Sequence, residues 1–196
     1  MRRKRDRDKY IIWDELKRLA KVIHSDRDLL IIMLAANLGL RIGEVVRLRV
    51  KDIDFKNKLI HVPCLKRGKG RIKRGQLPDT YEMLPLPDNL SKMLKNYIEK
   101  YDIKGFLFTG YDGQHITERR VQDIFKKYRD EAGLRRVYTF HCLRHFRGNM
   151  IYEKTHDIKA VQILLRHKNI NSSAIYVSLS DKAKKELAER IGEVKV

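Results

Sequence analysis

The chain has 196 residues, 42% of them hydrophobic, enough for an ordinary core in one domain. Its 44 Lys and Arg against 25 Asp and Glu give a formal net charge of +19, a surplus that points to a polyanionic partner, nucleic acid first, because each neutralised phosphate releases counterions. Two distant cysteines without a CxxC exclude a disulfide framework, no signal peptide is visible, and the apolar run Leu29–Leu38 is too short to span a bilayer; the expectation is an intracellular, nucleoid-associated protein of the cytoplasm with no membrane partner.

Residues 1–9 are charged and read as a basic flexible tail, a DNA-contacting arm or a solubilising segment. Trp13, Leu16, Leu19, Ala20 and Ile23 recur at helical spacing and predict a first helix. Leu29 to Leu38 predicts a buried helix stopped by Gly39, and Arg41 to Leu48 the next helix. Phe55 to Val62 has strand character with a turn at 56–58. The stretch 65–82 is basic and punctuated by glycines, a hairpin or loop, and Met83 to Leu86 predicts a returning strand that Pro85 places at a sheet edge. Helices follow over 89–101, from a Thr117 cap to about Ala132, from Thr139 or Phe140, and from Asp157 to about Leu165. Residues 172–178 and 181–191 predict two last helical pieces.

On a helix over 140–152, His141, Arg144, His145 and Gly148 fall on one side, and Cys142, Leu143, Phe146 and Met150 on the other. An imidazole–guanidinium–imidazole row opposite a buried face suits an anion, since the arginine fork donates two parallel hydrogen bonds and keeps its charge. Arg41 opens another predicted helix, where free amides and the dipole favour anions, and Glu44 stands one turn on, where it can brace an arginine or form an ordinary i,i+3 pair. A zinc pair at His141 and His145 is disfavoured by Arg144 between the ligands and by the missing HExxH glutamate. No metal or other cofactor is expected.

The segments LGLRIGEVVRLRVKDID, ITERRVQDIFKKYRDEAGL, FHCLRH and ILLRHKNINSSAIYVSLS, in this order, resemble the catalytic domain of the tyrosine recombinases, the phage integrase family, over about residues 10–185. The resemblance implies a mainly α fold with a small antiparallel β-sheet (α+β), also called the DNA breaking-rejoining enzyme fold. It assigns Arg41, Lys66, His141, Arg144, His167 and the nucleophile Tyr176 to catalysis, with Glu44 and His145 in support. It further implies double-stranded DNA as partner, a homotetramer on DNA working through a Holliday junction from subunits that are monomers in solution, and no metal or ATP.

The chemistry of the residues agrees with those roles. A tyrosine hydroxyl, with a pKa of about 10, attacks only when cations or a base assist it. Arg41 and Arg144 can neutralise the non-bridging oxygens, His141 can orient the phosphate or take the proton, His167 can bond another oxygen, and Lys66 can protonate the leaving oxygen. Lys69 and Lys73 are rival acids on the long segment after Lys66. Arg67, Lys69, Arg71, Lys73, Arg74 and Arg166 are the expected DNA contacts. Arg166 stands where the family's pattern has a glycine. Residues 10–196 are read as the catalytic domain, with the family's N-terminal core-binding domain absent. The expected function is a site-specific DNA recombinase or integrase; a non-enzymatic DNA-binding relic or regulator and a type IB topoisomerase-like relaxing enzyme are the alternatives.

Overall fold

The computed structural model describes residues 11–64, 80–155, 157–166 and 189. The expected basic tail over 1–9, the basic segment over 65–79 and, apart from the helical Glu189, the expected pieces at 172–178 and 181–191 lie outside the described residues.

Helix α1 (Trp13–Lys21) is amphipathic, burying Leu16 and Leu19. Its first turn is closed by Glu15, whose carboxylate accepts the Ile12 amide at 3.0 Å. Helix α2 (Asp26–Leu38) starts at Ser25, whose hydroxyl accepts from the Asp28 amide, and every residue from Leu30 to Leu38 is buried. A helix that is apolar all round can only be central, and α2 packs against α4 (Asp88–Lys100), α3 (Ile42–Val46) and α6 (His141–Thr155). The one polar residue in that run, Asn37, satisfies its amide on the Met33 carbonyl at 3.0 Å. Gly39 ends α2 in the left-handed region, at φ 63°.

Helix α3 is shorter than the periodicity predicts, because Leu48 and Arg49 leave it to pair with another segment. The Leu107 amide donates to the Leu48 carbonyl at 2.8 Å, and Arg49 bridges Phe106. The sheet is antiparallel, β1 (Ile53–Asp54), β2 (Leu59–Pro63) and β3 (Tyr81–Pro85) in that order. The turn between β1 and β2 sits at the predicted lysines, held by the Asp54 carboxylate accepting from the Asn57 amide. Ile60 faces Leu84 and Pro63 faces Tyr81, so Pro85, which has no amide to give, lies on an edge strand as predicted.

Helix α5 (Glu118–Glu131) is capped by Thr117 and stops before Gly133, at φ 63°. Arg129 near its end donates to the carbonyls of Arg136 and Tyr138 and so shapes the connection into α6. Helix α7 (Ile158–Leu165) begins at the predicted Asp157, whose carboxylate accepts the Lys159 amide at 2.7 Å. The architecture is mainly helical with one small antiparallel sheet, as the sequence implies. Among the described residues no helix is long and apolar enough to cross a membrane.

One expectation about α6 is overturned. The row His141, Arg144, His145, Gly148 does not share one open face. His141 and His145 are exposed, but Arg144, Arg147 and Gly148 are buried. The cause is α7, which folds back over α6. Leu165 and Val161 lie so close to Gly148 that a Cβ there would stand 3.0 Å from one leucine methyl. A second helix covering the polar side was not visible in the periodicity of α6 alone.

Candidate active site

The turn between α2 and α3 makes the base of the site. Gly39 takes the left-handed turn, and Arg41 is the residue at which α3 begins. Glu44, one turn in, accepts the Arg41 backbone amide on Oε2 at 2.7 Å and the Arg41 guanidinium on Oε1 at 2.9 Å. This is no exposed surface pair. The Glu44 side chain is 3% exposed, while Arg41 is 43% exposed, so the carboxylate anchors an arginine whose far side meets solvent.

Arg144 reaches the same place from α6. Its guanidinium donates to the carbonyls of Gly39 and Leu165, and the residue is 2% exposed. Those bonds use two of the five N–H donors a guanidinium carries. A cation so buried is stable only because it is hydrogen-bonded. Burial first, then Arg41 and Arg166, push its pKa down to about 9, and it remains a cation at neutral pH. The buried Arg144 thus joins α6 to the α2–α3 turn and to the end of α7.

His141 begins α6 beside these arginines, its ring edge-on to His145 with centroids 4.6 Å apart. Partial burial, then His145, Arg144 and Arg41, hold it below the usual histidine range. A neutral imidazole can accept a proton, which a protonated one cannot. The depressed value also has a consequence for stability. Below about pH 6.5 the unfolded chain binds a proton at His141 that the folded chain refuses, so stability falls with pH until the folded value is passed. Thermal melts between about pH 7.5 and pH 5 should therefore drop more for the wild type than for His141→Gln; equal drops would show that His141 carries none of the effect.

Arg166 follows α7 at φ 57° and ψ 48°, a left-handed residue that is not glycine. Its guanidinium turns inward with the side chain 7% exposed. Nη2 lies 2.7 Å from Glu44 Oε2, and Nε lies 3.7 Å from Glu82 Oε2 on β3. Glu82 escaped sequence reasoning. It is one acidic residue on a short strand, and nothing in its spacing marks it. Cys142 is inert here, its thiol pushed up to about 12 by burial.

The structure therefore gathers Arg41, Glu44, His141, Arg144 and Arg166, from three helices and their ends, around one centre, with His145 beside His141. Lys66, Arg67, Lys69, Arg71, Lys73, Arg74, His167 and Tyr176 lie outside the described residues. Two residues that neighbour those positions are described. Cys64, at the end of β2, feels the charges of Glu82, Arg166 and Glu44, and Arg166 directly precedes His167.

Fold and site define a class, a helical domain with a small antiparallel sheet whose two arginines, distant in sequence, meet at a histidine-edged cationic centre. Residues 9–183 match the Phage integrase family, and the chain belongs to that family. It is 32% identical over 183 residues to the tyrosine recombinase XerA of Pyrococcus furiosus, covering 90% of this chain and 59% of that protein. It is 30% identical over 170 residues to XerC of Chlamydia caviae, covering 83% and 50%. The chain thus spans between half and three-fifths of the length of these curated relatives. Among solved structures, the integrase of mycobacterium phage Brujita aligns with a TM-score of 0.71 at 27% identity, over 94% of this chain and 58% of that one. The XerH site-specific recombinase bound to its difH substrate, in a pre-cleavage complex, aligns with a TM-score of 0.66 at 26% identity, over 91% and 53%.

Proposed function

We propose that this chain is the catalytic part of a site-specific DNA recombinase that cuts and rejoins strands through a covalent 3′-phosphotyrosine. The observation that carries the reading is the meeting of Arg41 and Arg144 beside His141 in a chain of this family, with Glu44 holding Arg41 in place. Two fixed guanidinium groups suit the two non-bridging oxygens of one phosphodiester, and preorganised donors at a site of developing charge contribute about 10²–10³ in rate each.

In the proposed step the Tyr176 oxygen attacks phosphorus in line, and the bond to the 5′-oxygen breaks. The tyrosine proton passes to His141, whose neutral form is favoured. The leaving 5′-oxygen takes its proton from Lys66, or from its rivals Lys69 and Lys73. His167 bonds a further phosphate oxygen. The ester energy stays in the phosphotyrosine, so the reverse attack by a 5′-hydroxyl reseals the strand without ATP, and the arginines supply the charge neutralisation a metal supplies elsewhere. The +19 charge supports double-stranded DNA as the partner. A homotetramer on paired sites follows from the family reading.

The test is a duplex carrying a 5′-bridging phosphorothiolate, incubated with the protein in chelator. A covalent adduct is expected, and Tyr176→Phe should form none. Among Lys66→Ala, Lys69→Ala and Lys73→Ala, the variant of the general acid should be slow on the ordinary ester and rescued by the thiolate leaving group. DNA binding without any adduct would sink the enzymatic reading in favour of a DNA-binding regulator. Relaxation of a plasmid without recombination of paired sites would favour a topoisomerase-like enzyme.

A further inference from the structure

Arg166 is a residue the chemistry above does not use, and three features set it apart. Its backbone is left-handed at φ 57°, a conformation glycine takes freely and a side chain takes only against resistance. Strain of this kind persists where the surroundings over-determine it. Its side chain is nine-tenths buried rather than extended into solvent. Finally, it stands between two carboxylates on different elements: Nη2 donates to Glu44 Oε2 at 2.7 Å, while Nε is buried without a hydrogen-bond partner and has Glu82 Oε2 at 3.7 Å as an ion-pair neighbour.

Glu44 is the connection that gives these features a purpose. One of its oxygens takes the Arg41 guanidinium, and the other takes both the Arg41 amide and Arg166. Were Glu44 to change rotamer, Arg41 would lose its brace, because the two form an ion pair. The guanidinium of Arg166 removes that freedom by occupying Oε2. Its other edge approaches Glu82 on β3, the strand that the chain enters directly after residues 65–79. Arg166 also ends the helix whose Leu165 carbonyl receives Arg144. Both arginines of the proposed phosphate site are thereby tied to positions 165 and 166.

From this juxtaposition we propose that Arg166 is a positioning residue: by bridging Glu44 to Glu82 it locks the Arg41 arm against strand β3 and does not itself contact DNA. The consequence for turnover rests on the strand-cleavage reading above; the mechanical link to Arg41 does not. Charge alone is insufficient for the bridge. A lysine ammonium gathers its three donors on one nitrogen and cannot face Glu44 and Glu82 from two edges as the extended planar guanidinium does.

The test uses Arg166→Gly and Arg166→Lys in the full chain, with four measurements. Arg166→Gly removes the fork but relieves the backbone, so its melting temperature should stay within about 4 °C of wild type. Single-turnover cleavage of the phosphorothiolate duplex should fall about tenfold or more, since displacements of about 1 Å at a reacting centre cost up to about 10². Arg166→Lys should not restore it. Duplex affinity should keep its salt dependence, whereas a lost phosphate contact lowers that slope by about one. In the protein without DNA, the Arg41 side-chain Nε–H resonance should move to a mobile, solvent-exposed position in Arg166→Gly. Glu82→Gln should slow cleavage in the same direction, and the double variant should be no slower than Arg166→Gly. Wild-type cleavage by Arg166→Gly would overturn the proposal, as would a lowered salt slope with affinity lost in proportion. If the wild-type chain forms no adduct, the cleavage reading has failed on its own account. The Arg41 resonance then decides the link alone, and an unchanged resonance overturns it.

Discussion

Arg144→Ala is expected to cut single-turnover strand cleavage by at least about 10²–10³, the cost of removing one preorganised donor from a site of developing negative charge. It is also expected to weaken the fold. Arg144 is the cation through which α6 reaches the Gly39 carbonyl on one side and the Leu165 carbonyl on the other. Truncation leaves two inward-facing acceptors without their charged donor, each such bond being worth about 1.5–3 kcal/mol. Release from the desolvation that lowers its pKa offsets part of this, so a net loss of about 2 kcal/mol, or about 4–8 °C in melting temperature, is the expectation. Arg144→Lys separates the two effects. It retains a cation, but three donors on one nitrogen do not reproduce the planar fork that reaches both carbonyls and an anion. Melting should recover in part, while cleavage stays about 10²-fold down. A variant without Arg144 that cleaves at the wild-type rate would remove the phosphate clamp from the account.

Gly39→Ala should be the most damaging small substitution among the described residues of the site. The residue sits at φ 63°, where a Cβ costs about 1 kcal/mol. That Cβ would also run into Leu165 Cδ2, so the leucine side chain must shift to admit it. Overpacking of this kind adds about 1–3 kcal/mol, for a total of about 2–4 kcal/mol and a melting loss of about 10 °C. Because Gly39 also supplies a carbonyl to Arg144, cleavage should fall more than the melting temperature alone predicts. Leu165→Ala in the same background removes the clash and leaves the backbone strain. The double variant should therefore be more stable than the sum of the two single changes, by about 1–2 kcal/mol of coupling. Strict additivity in denaturant titrations would mean that Gly39 matters only for its dihedral angles.

These two positions show where sequence reading succeeds and stops. Gly39 was legible as a helix stop, because an apolar run that ends in glycine signals a left-handed cap. Its close approach to Leu165 was not, since the two are brought together by the return of α7 over α6. Arg144 read as a candidate phosphate ligand from its place between two histidines. Helical periodicity put it on the side opposite the apolar face, and the fold put it at 2% exposure. Periodicity assigns a side of a helix; it cannot count how many neighbours cover that side. Arg166 is the clearest case. As one more basic residue in a basic chain it read as a DNA contact, and the structure turns it inward to Glu44 and Glu82.

By itself the sequence determined the class of architecture, the order of the helices, the turn and edge of the sheet, and the family, because these follow from local periodicity, capping residues and motifs held in order along the chain. Only the tertiary structure decided which charges meet. Arg41 and Arg144 stand 103 positions apart in the chain, and the acidic partner that joins Arg166 to β3 carries no local mark. Burial and ion pairing depend on the distances between elements rather than on spacing within one. A buried cation must find its acceptors wherever the packing leaves them: for Arg144 they are the carbonyls of Gly39 and Leu165, and for Arg166 the Glu44 carboxylate, with Glu82 close by.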